Sequence, residues 1–341
     1  SDPCRGTGHA ADLPSVGVCL RAAVRFKLND GGKADATRSI RGEYCEGRDS
    51  PQAPRKGEIM QRAKIVAECG LNHGGSMETA KKMISVAGHF CQADFVKFQK
   101  RDVSDIPNGD KPHPDPSNSF GNTYAEHRRA LEFTVEQHQE LSAYARLQGI
   151  YYACSVFDVQ SVKDILTCDP AYIKIGSGVN HRQDILREVC ENWPGEIHVS
   201  TGATTELEIA ELMSFLVGQG RGRDVVLYHC VSAYPTEFAD ACLLGIKELR
   251  FQWGDMVKSI AFSGHHRGIS LDVAAQVLKA SFIERHFTLD RTMKGSDQAA
   301  SIEPDGLRKI VRDCQSVALA MNNKLRVIPA CEFKFREKNK G

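Results

Sequence analysis

The spacing of hydrophobic residues changes near residue 63, where short apolar runs begin to alternate with longer amphipathic stretches. Short runs rich in β-branched residues predict buried strands, whereas apolar residues that recur every three or four positions predict helices. Eight runs predict strands: KIVAECG (64–70), DFVKFQ (94–99), IYYACS (150–155), YIKIGS (172–177), EIHVST (196–201), VVLYHC (225–230), SIAFSG (259–264) and FIERHF (282–287).

Helical spacing appears between these runs, often with its own start and stop signals. Ser76 and Thr134 stand where an N-cap is expected, with Glu78 in the first turn of the first stretch, and Gly149 closes the second. The pattern predicts five helices: 76–90, 134–149, 205–220, 271–280 and 303–321.

The alternation of strands and helices predicts an α/β fold, specifically a parallel (β/α)₈ TIM barrel. A doubly wound open sheet is the alternative, but no GxGxxG turn follows the first strand. We assign the barrel to residues 63–335. Residues 1–62, rich in Gly, Arg, Asp and Ser, are predicted to be a partly disordered N-terminal extension, and residues 336–341 the start of a linker.

The bulk composition excludes some classes of function. The formal net charge of +1 gives no overall basic field, so neither nucleic acid nor a membrane surface is an expected partner, although a local cluster can still bind a small anion. No CxxC pair occurs among the twelve cysteines, which favours buried free thiols and a cytoplasmic location.

Polar residues concentrate where the predicted strands end, and active sites of TIM barrels lie at that edge. His265 follows the seventh strand and His286 ends the eighth. Because neighbouring strands lie about 5 Å apart, both imidazoles can reach one point and hold Mn²⁺, Zn²⁺ or Mg²⁺. Two hydrogen-bonded structural histidines are the alternative, and His266 is expected to point away.

Two lysines lie inside apolar runs, Lys97 in FVKFQ and Lys174 in YIKIG. A buried ammonium needs an anion, which is either a protein carboxylate or a ligand. With nearby serines the lysines form a cradle for phosphate and carboxylate groups, although Lys174 also suits a Schiff base. The serines are Ser155, Ser177, Ser200 and Ser263.

Glu68 ends the first strand, in AECGLNHGG. It is a candidate general acid or base, and an ion pair with Lys97 on the next strand is the structural alternative.

Taken together, these stretches resemble the sialic acid synthase family, also called NeuB-like. The resemblance covers about residues 64–335 and rests on IVAECGLNHGG, VKFQK, NTYAEHRRALEF, YIKIGSG, VSTGA, HCVSAYP, FSGHHRGIS and ERHFTLDRTMKGSDQAASIEP, which occur in family order. TYAEHRRALEF and TLDRTMKGSD look more like the animal-type synthases, which use a phosphorylated sugar.

The resemblance implies an enzyme that condenses phosphoenolpyruvate and water with N-acetylmannosamine, mannose or a 6-phosphate of either. The product is a nine-carbon sialic acid (Neu5Ac or Kdn, or the 9-phosphate) plus phosphate. It implies Mn²⁺ or Mg²⁺ held by His265 and His286, with Glu68 handling water or protons. Phosphoenolpyruvate is expected at Lys97, Ser155, Lys174, Ser177, Ser200, Ser232 and Ser263, and the acceptor sugar at Gln99, Tyr234 and Asp297.

This sequence departs from the family pattern in three places. The acidic residue and Asn-Asn that usually follow the strand-four SG are replaced in SGVNHR, where Val179 stands, and SDH is replaced by SDQ with Gln298. The family also carries a C-terminal antifreeze-like domain, whose arginine reaches the acceptor of the partner in a homodimer. The printed sequence stops at FREKNKG, where the linker to that domain is expected.

Three residues suggest a phosphorylated acceptor: Arg128, Arg129 and Lys294. Solvated surface charges are the alternative. Two other functions also remain open, a Schiff-base aldolase or lyase through Lys174, and a catalytically inactive sugar-binding barrel.

Overall fold

The computed structural model describes residues 60–104, 106, 109–321 and 328–340, together with the backbone of two short strands. Those strands, Lys27–Leu28 and Ala34–Asp35, pair antiparallel. The predicted N-terminal extension otherwise lies, up to residue 59, outside the described residues.

Eight parallel strands close into a barrel, as the sequence predicts. They are β1 (Lys64–Gly70), β2 (Phe95–Lys100), β3 (Tyr151–Val156), β4 (Tyr172–Ile175), β5 (Glu196–Ser200), β6 (Val225–Cys230), β7 (Ser259–Gly264) and β8 (Phe282–His286). Three of these agree with the predicted runs at both ends, and the other five within two residues at each end.

Helices connect the strands on the outside of the barrel. They are α1 (Met77–Ser85), α2 (Tyr124–Leu131), α3 (Val135–Leu147), α4 (Val159–Leu166), α5 (Gln183–Asn192), α6 (Glu206–Gly218), α7 (Gly245–Trp253), α8 (Ser270–Val277) and α9 (Pro304–Ala320). A further helix, α10 (Phe333–Lys340), covers most of the predicted linker.

Local signals accompany some of the helices that the sequence predicts. Thr134 and Thr205 each close a capping box, and Gly149 takes a left-handed φ of +70° at the end of α3. Of the helices α1–α9, four were not predicted: α5 and α7 begin without a side-chain cap, but α2 and α4 are capped by Thr123 and Asp158. No helix in the described part of the chain has the length and apolar character that a bilayer span requires.

Side-chain alternation divides each strand between two environments. On β6, Val225 and Leu227 join the large core between the barrel and its helices, whereas Val226 and Tyr228 belong to a small interior cluster with Ala261. The same alternation turns polar residues of β1, β2, β4 and β8 toward the barrel axis, where they form the candidate site.

Candidate active site

The centre of the site is a buried cluster of charges from four strands. The register places Glu68 beside Lys97, and Ser263 beside Glu284. The Glu68 carboxylate forms a short ion pair with the Lys97 ammonium group, and Gln99 Nε2 donates to Glu68 Oε1 at 3.0 Å. The ion pair expected for Glu68 as a structural alternative is therefore present.

Glu284 connects both lysines, a role that was not predicted from the sequence. Its Oε2 lies 3.2 Å from Lys174 Nζ, and its Oε1 lies 3.7 Å from Lys97 Nζ and accepts a hydrogen bond from Ser263 Oγ at 3.1 Å. Ser155 Oγ accepts a hydrogen bond from Lys97 Nζ at 2.8 Å. Protein carboxylates thus supply anions for both lysines.

The charges in this cluster shift one another's ionisation. Burial disfavours the ionised Glu284, but the ammonium groups of Lys174 and Lys97 outweigh burial and lower its pKa to about 2. Burial also disfavours the charged Lys97, but Glu284 and Glu68 raise its pKa overall. For Lys174, burial prevails over Glu284, and the charge of Lys97 adds to it, so its pKa falls below the ordinary value.

The remaining predicted serines lie at neighbouring strand ends. Ser177 and Ser232 share a hydrogen bond of 2.9 Å. A Cβ at Gly202 would lie 2.2 Å from Ser232 Oγ and 3.3 Å from Ser177 Oγ, so only glycine leaves this cradle open. Ser200 is buried at the end of β5, where its carbonyl accepts a hydrogen bond from Asn180, and within the described residues no contact joins its hydroxyl to either lysine.

The two predicted metal-binding histidines lie together beside this cluster, with ring centroids 5.5 Å apart. His265 Nδ1 donates to the Val231 carbonyl at 2.7 Å, which leaves the Nε2 lone pair available. Burial, reinforced by His286, lowers the pKa of His265 to about 3, so its imidazole is neutral near pH 7. His266 points elsewhere, as predicted, and contacts Arg285 and Asp272.

These residues fit a divalent cation. His286 Nδ1 is buried without a hydrogen-bond partner, and Asp297 Oδ2 lies 3.6 Å from it. Neutral imidazoles with available lone pairs are the nitrogen ligands that Mn²⁺, Zn²⁺ and related ions accept. Because the described residues contain no cluster of three His, Cys, Asp or Glu ligands, a cation here would complete its shell with water or substrate.

A cleft of about 220 Å³ opens beside the histidines. It is lined by Leu71, Gln99, Arg101, Arg128, Phe157, Tyr234, His286, Ser296 and Asp297. The three residues predicted to contact the acceptor, Gln99, Tyr234 and Asp297, are therefore brought together next to His286.

Two arginines give one side of the cleft a positive charge. The Arg101 guanidinium stacks on Phe157 at 3.9 Å, and Arg128 donates two hydrogen bonds to the Tyr124 hydroxyl. Burial and the neighbouring charge of Arg128 lower the pKa of Arg101. In the part of the chain that the structure describes, no carboxylate forms an ion pair with either guanidinium.

Arg101 was not predicted, although it follows the end of β2 as catalytic residues of barrels do. Of the other suggested phosphate ligands, Arg129 and Lys294 are exposed to solvent.

Two residues that depart from the family pattern, Val179 and Gln298, have well-defined contacts in the structure. Val179 is half-buried and packs against the core. Gln298 is buried, donates to the Asn72 carbonyl at 3.0 Å and accepts a hydrogen bond from Thr288. Gln298 therefore ties the loop after β8 to the loop after β1 and supports the segment that carries Asp297.

Comparisons with known proteins identify the family of this chain. Residues 83–326 match the NeuB family. The chain is 34% identical over 277 residues to N-acetylneuraminate-9-phosphate synthase of Mus musculus, covering 80% of this chain and 75% of the mouse protein. It is 31% identical over 280 residues to N,N'-diacetyllegionaminic acid synthase of Campylobacter jejuni, covering 81% of this chain and 82% of that one.

Among solved structures, the N-acetylneuraminic acid synthetase of Leptospira borgpetersenii in complex with citrate superposes with a TM-score of 0.68 and 25% identity. The match covers 82% of this chain and 93% of that chain. On the length of the family match, the identity of the relatives and the shared barrel, this protein belongs to the NeuB family.

Proposed function

We propose that this protein is a sialic-acid-type synthase that joins phosphoenolpyruvate and water to a mannose-type sugar and releases phosphate. The observation that carries the proposal is that two buried lysines, one of them hydrogen-bonded to Ser155, lie at the same end of one barrel as the adjacent imidazoles of His265 and His286. Family membership supports this function over a Schiff-base aldolase and over an inactive sugar-binding barrel. Its free cysteines support a cytoplasmic location.

The charged cluster suits an anionic substrate. Lys97 and Lys174 would bind the phosphate and carboxylate groups of phosphoenolpyruvate, with serine hydroxyls donating from the rim. C3 of phosphoenolpyruvate would bond to the sugar aldehyde carbon, water would add at C2, and phosphate would leave by C–O cleavage. Glu68, which contacts Lys97 and Gln99, would take a proton from that water.

A divalent cation held by His265 and His286 would supply Lewis-acid polarisation of the aldehyde oxygen. Tyr234 packs against both imidazoles, with ring centroids 4.1 Å from His265 and 5.6 Å from His286. Tyr234 and Asp297 would orient the sugar in the cleft beside these histidines.

The decisive assay is phosphate release from phosphoenolpyruvate with Mn²⁺ and four acceptors: N-acetylmannosamine, mannose and the 6-phosphate of each. We expect release with a 6-phosphate, and loss of release with EDTA or in His286→Ala. An absence of release with all four acceptors, from folded protein supplied with Mn²⁺, would contradict the proposal.

The acceptor preference is expected to depend on the two cleft arginines. Arg101→Gln or Arg128→Gln should raise the KM for a sugar 6-phosphate about 10- to 100-fold, because each removes a charge-assisted hydrogen bond to the phosphate. The KM for the free sugar should change less than about threefold. Arg129→Gln, which alters the exposed neighbour of Arg128, is the matched control. Equal effects on both forms of the sugar would place the phosphate elsewhere.

A further inference from the structure

A second polar layer lies in the barrel interior below Lys97 and Lys174. Tyr172 on β4, His198 on β5 and Tyr228 on β6 form this layer, which we call the aromatic floor, and their exposures are 1%, 0% and 0%. TIM-barrel interiors are normally filled by branched apolar side chains. A fully buried imidazole costs free energy unless its nitrogens are hydrogen-bonded, so the partners of His198 determine how this layer is held.

His198 is fixed on several sides. Its ring stacks on Tyr172 with a centroid distance of 3.6 Å and an interplanar angle of 2°, and the edge of Phe282 packs at 4.7 Å. His198 Nδ1 lies 2.8 Å from the Tyr228 hydroxyl, and Nε2 lies 3.3 Å from Glu196 Oε2.

The position of each proton in the series of hydrogen bonds from Glu196 through His198 to Tyr228 follows from the ionisation of the groups that form it. Burial lowers the pKa of His198 to about 4, so the ring is neutral near pH 7. The hydrogen bond from His198 lowers the pKa of Glu196 to about 2, so its carboxylate only accepts. Nε2 must therefore carry the proton, Nδ1 must accept, and the Tyr228 hydroxyl must donate. This arrangement holds the Tyr228 ring in one orientation and turns its hydroxyl proton toward His198.

The ammonium group of Lys174 lies over the face of the Tyr228 ring. Lys174 Nζ lies 3.3 Å from the Tyr228 ring centroid, within cation–π range, and is 2% exposed. The charged and titratable groups around Lys174 are Glu284 on β8, Lys97 on β2, Cys230 and Tyr228 on β6, and His198 on β5. The Glu284 carboxylate attracts the Lys174 ammonium group from one side, and the Tyr228 ring makes a cation–π contact with it from another.

We propose that Tyr228 is a positioning residue whose ring keeps Lys174 charged and fixed for an anionic substrate. Without the ring, Lys174 would retain Glu284 as its main favourable partner and would be drawn toward that carboxylate. Burial and Lys97 would then favour the neutral amine, which binds anions poorly.

The test compares Tyr228→Leu with Tyr228→Phe and with Tyr172→Leu. Tyr228→Leu removes the ring under Lys174 and should raise the KM for phosphoenolpyruvate about 10- to 30-fold, with a smaller change in kcat. Tyr228→Phe keeps the ring and should stay within about threefold. Tyr172→Leu is the matched control, because it removes a buried aromatic ring of the same floor that makes no cation–π contact with Lys174.

A second readout does not depend on enzyme activity. Lysine labelled at ¹³Cε reports the titration of Lys174, whose signal is assigned by its loss in Lys174→Met. Tyr228→Leu should lower the titration midpoint, whereas Tyr228→Phe and Tyr172→Leu should leave it near that of the wild type. The KM comparison rests on the proposed function, but the titration of Lys174 does not. A wrong proposed function is therefore distinguishable from a wrong role for Tyr228.

Equal changes in Tyr228→Leu and Tyr172→Leu, in KM and in the titration midpoint, would overturn the proposal. They would show that the floor acts only through stability. Thermal unfolding of all three variants shows whether Tyr228→Leu and Tyr172→Leu are matched in stability.

Discussion

Replacement of Glu284 by glutamine is expected to lower the free energy of unfolding by about 3–5 kcal/mol. The carboxylate is buried between Lys97 and Lys174 and offsets charge on both. Glutamine has a similar shape but no charge, so Lys97 would keep Glu68 as its partner whereas Lys174 would lose its carboxylate partner. Urea unfolding of the variant and the wild type at pH 7.5 measures the difference.

Phosphoenolpyruvate should return part of this lost stability, because its negative charges would take the place of the missing carboxylate. We therefore expect a larger increase in Tm with phosphoenolpyruvate for Glu284→Gln than for the wild type. Glu132→Gln is the matched control: Glu132 pairs with Lys100 at 2.9 Å, also buried, on the opposite side of β2 from the site.

Glu132→Gln should lose stability without an added response to phosphoenolpyruvate. If Glu284→Gln were as stable as the wild type, Glu284 would not balance the lysines. If it were destabilised but gained no extra stabilisation, the anion would bind away from this cluster.

Three buried histidines outside the proposed metal site are together expected to contribute about 4 kcal/mol to the destabilisation of the protein between pH 7.5 and pH 5.5. Burial is the leading cause that lowers the pKa of His73 and His138 to about 3 and of His198 to about 4. In the unfolded chain each titrates near 6.5.

The sign follows from proton uptake. Between pH 6.5 and pH 4 the unfolded chain binds protons that the folded protein excludes, so stability falls as the pH falls. Each histidine contributes about 1.4 kcal/mol at pH 5.5, one unit below its unfolded pKa. Urea unfolding at pH 7.5, 6.5 and 5.5 measures the dependence.

His138→Gln tests one member of this group. His138 is fully buried, and its Nδ1 lies 2.6 Å from the Tyr152 hydroxyl. Because glutamine does not titrate, the variant should take up about one proton fewer on unfolding and show a shallower pH dependence. A wild-type stability that stays constant between pH 7.5 and pH 5.5 would contradict this account.

The sequence by itself determined the eight strands and the end of the barrel at which chemistry is expected. Strands that are buried on both faces must be short apolar runs, so Lys64–Gly70, Val225–Cys230 and Ser259–Gly264 were recognisable from composition and flanking polar residues. Lys97, Lys174, His265 and His286 were identifiable because charged or imidazole side chains interrupt or end such runs.

Helix starts were less predictable. The capping boxes closed by Thr134 and Thr205 are local in sequence and both helices were predicted, but Thr123 closes an equally local box at α2, which was not. Helices α5 and α7 carry no side-chain cap.

Only the tertiary structure decided which polar groups face one another. Glu284 and Lys174 are 110 positions apart and meet because the closed barrel turns both side chains toward its axis. The contact of Tyr228 with Lys174 and the presence of Arg101 and Arg128 at one cleft have the same origin. Strand spacing and side-chain period are local properties that a sequence displays, but contacts across the axis depend on ring closure and register, which no local pattern encodes.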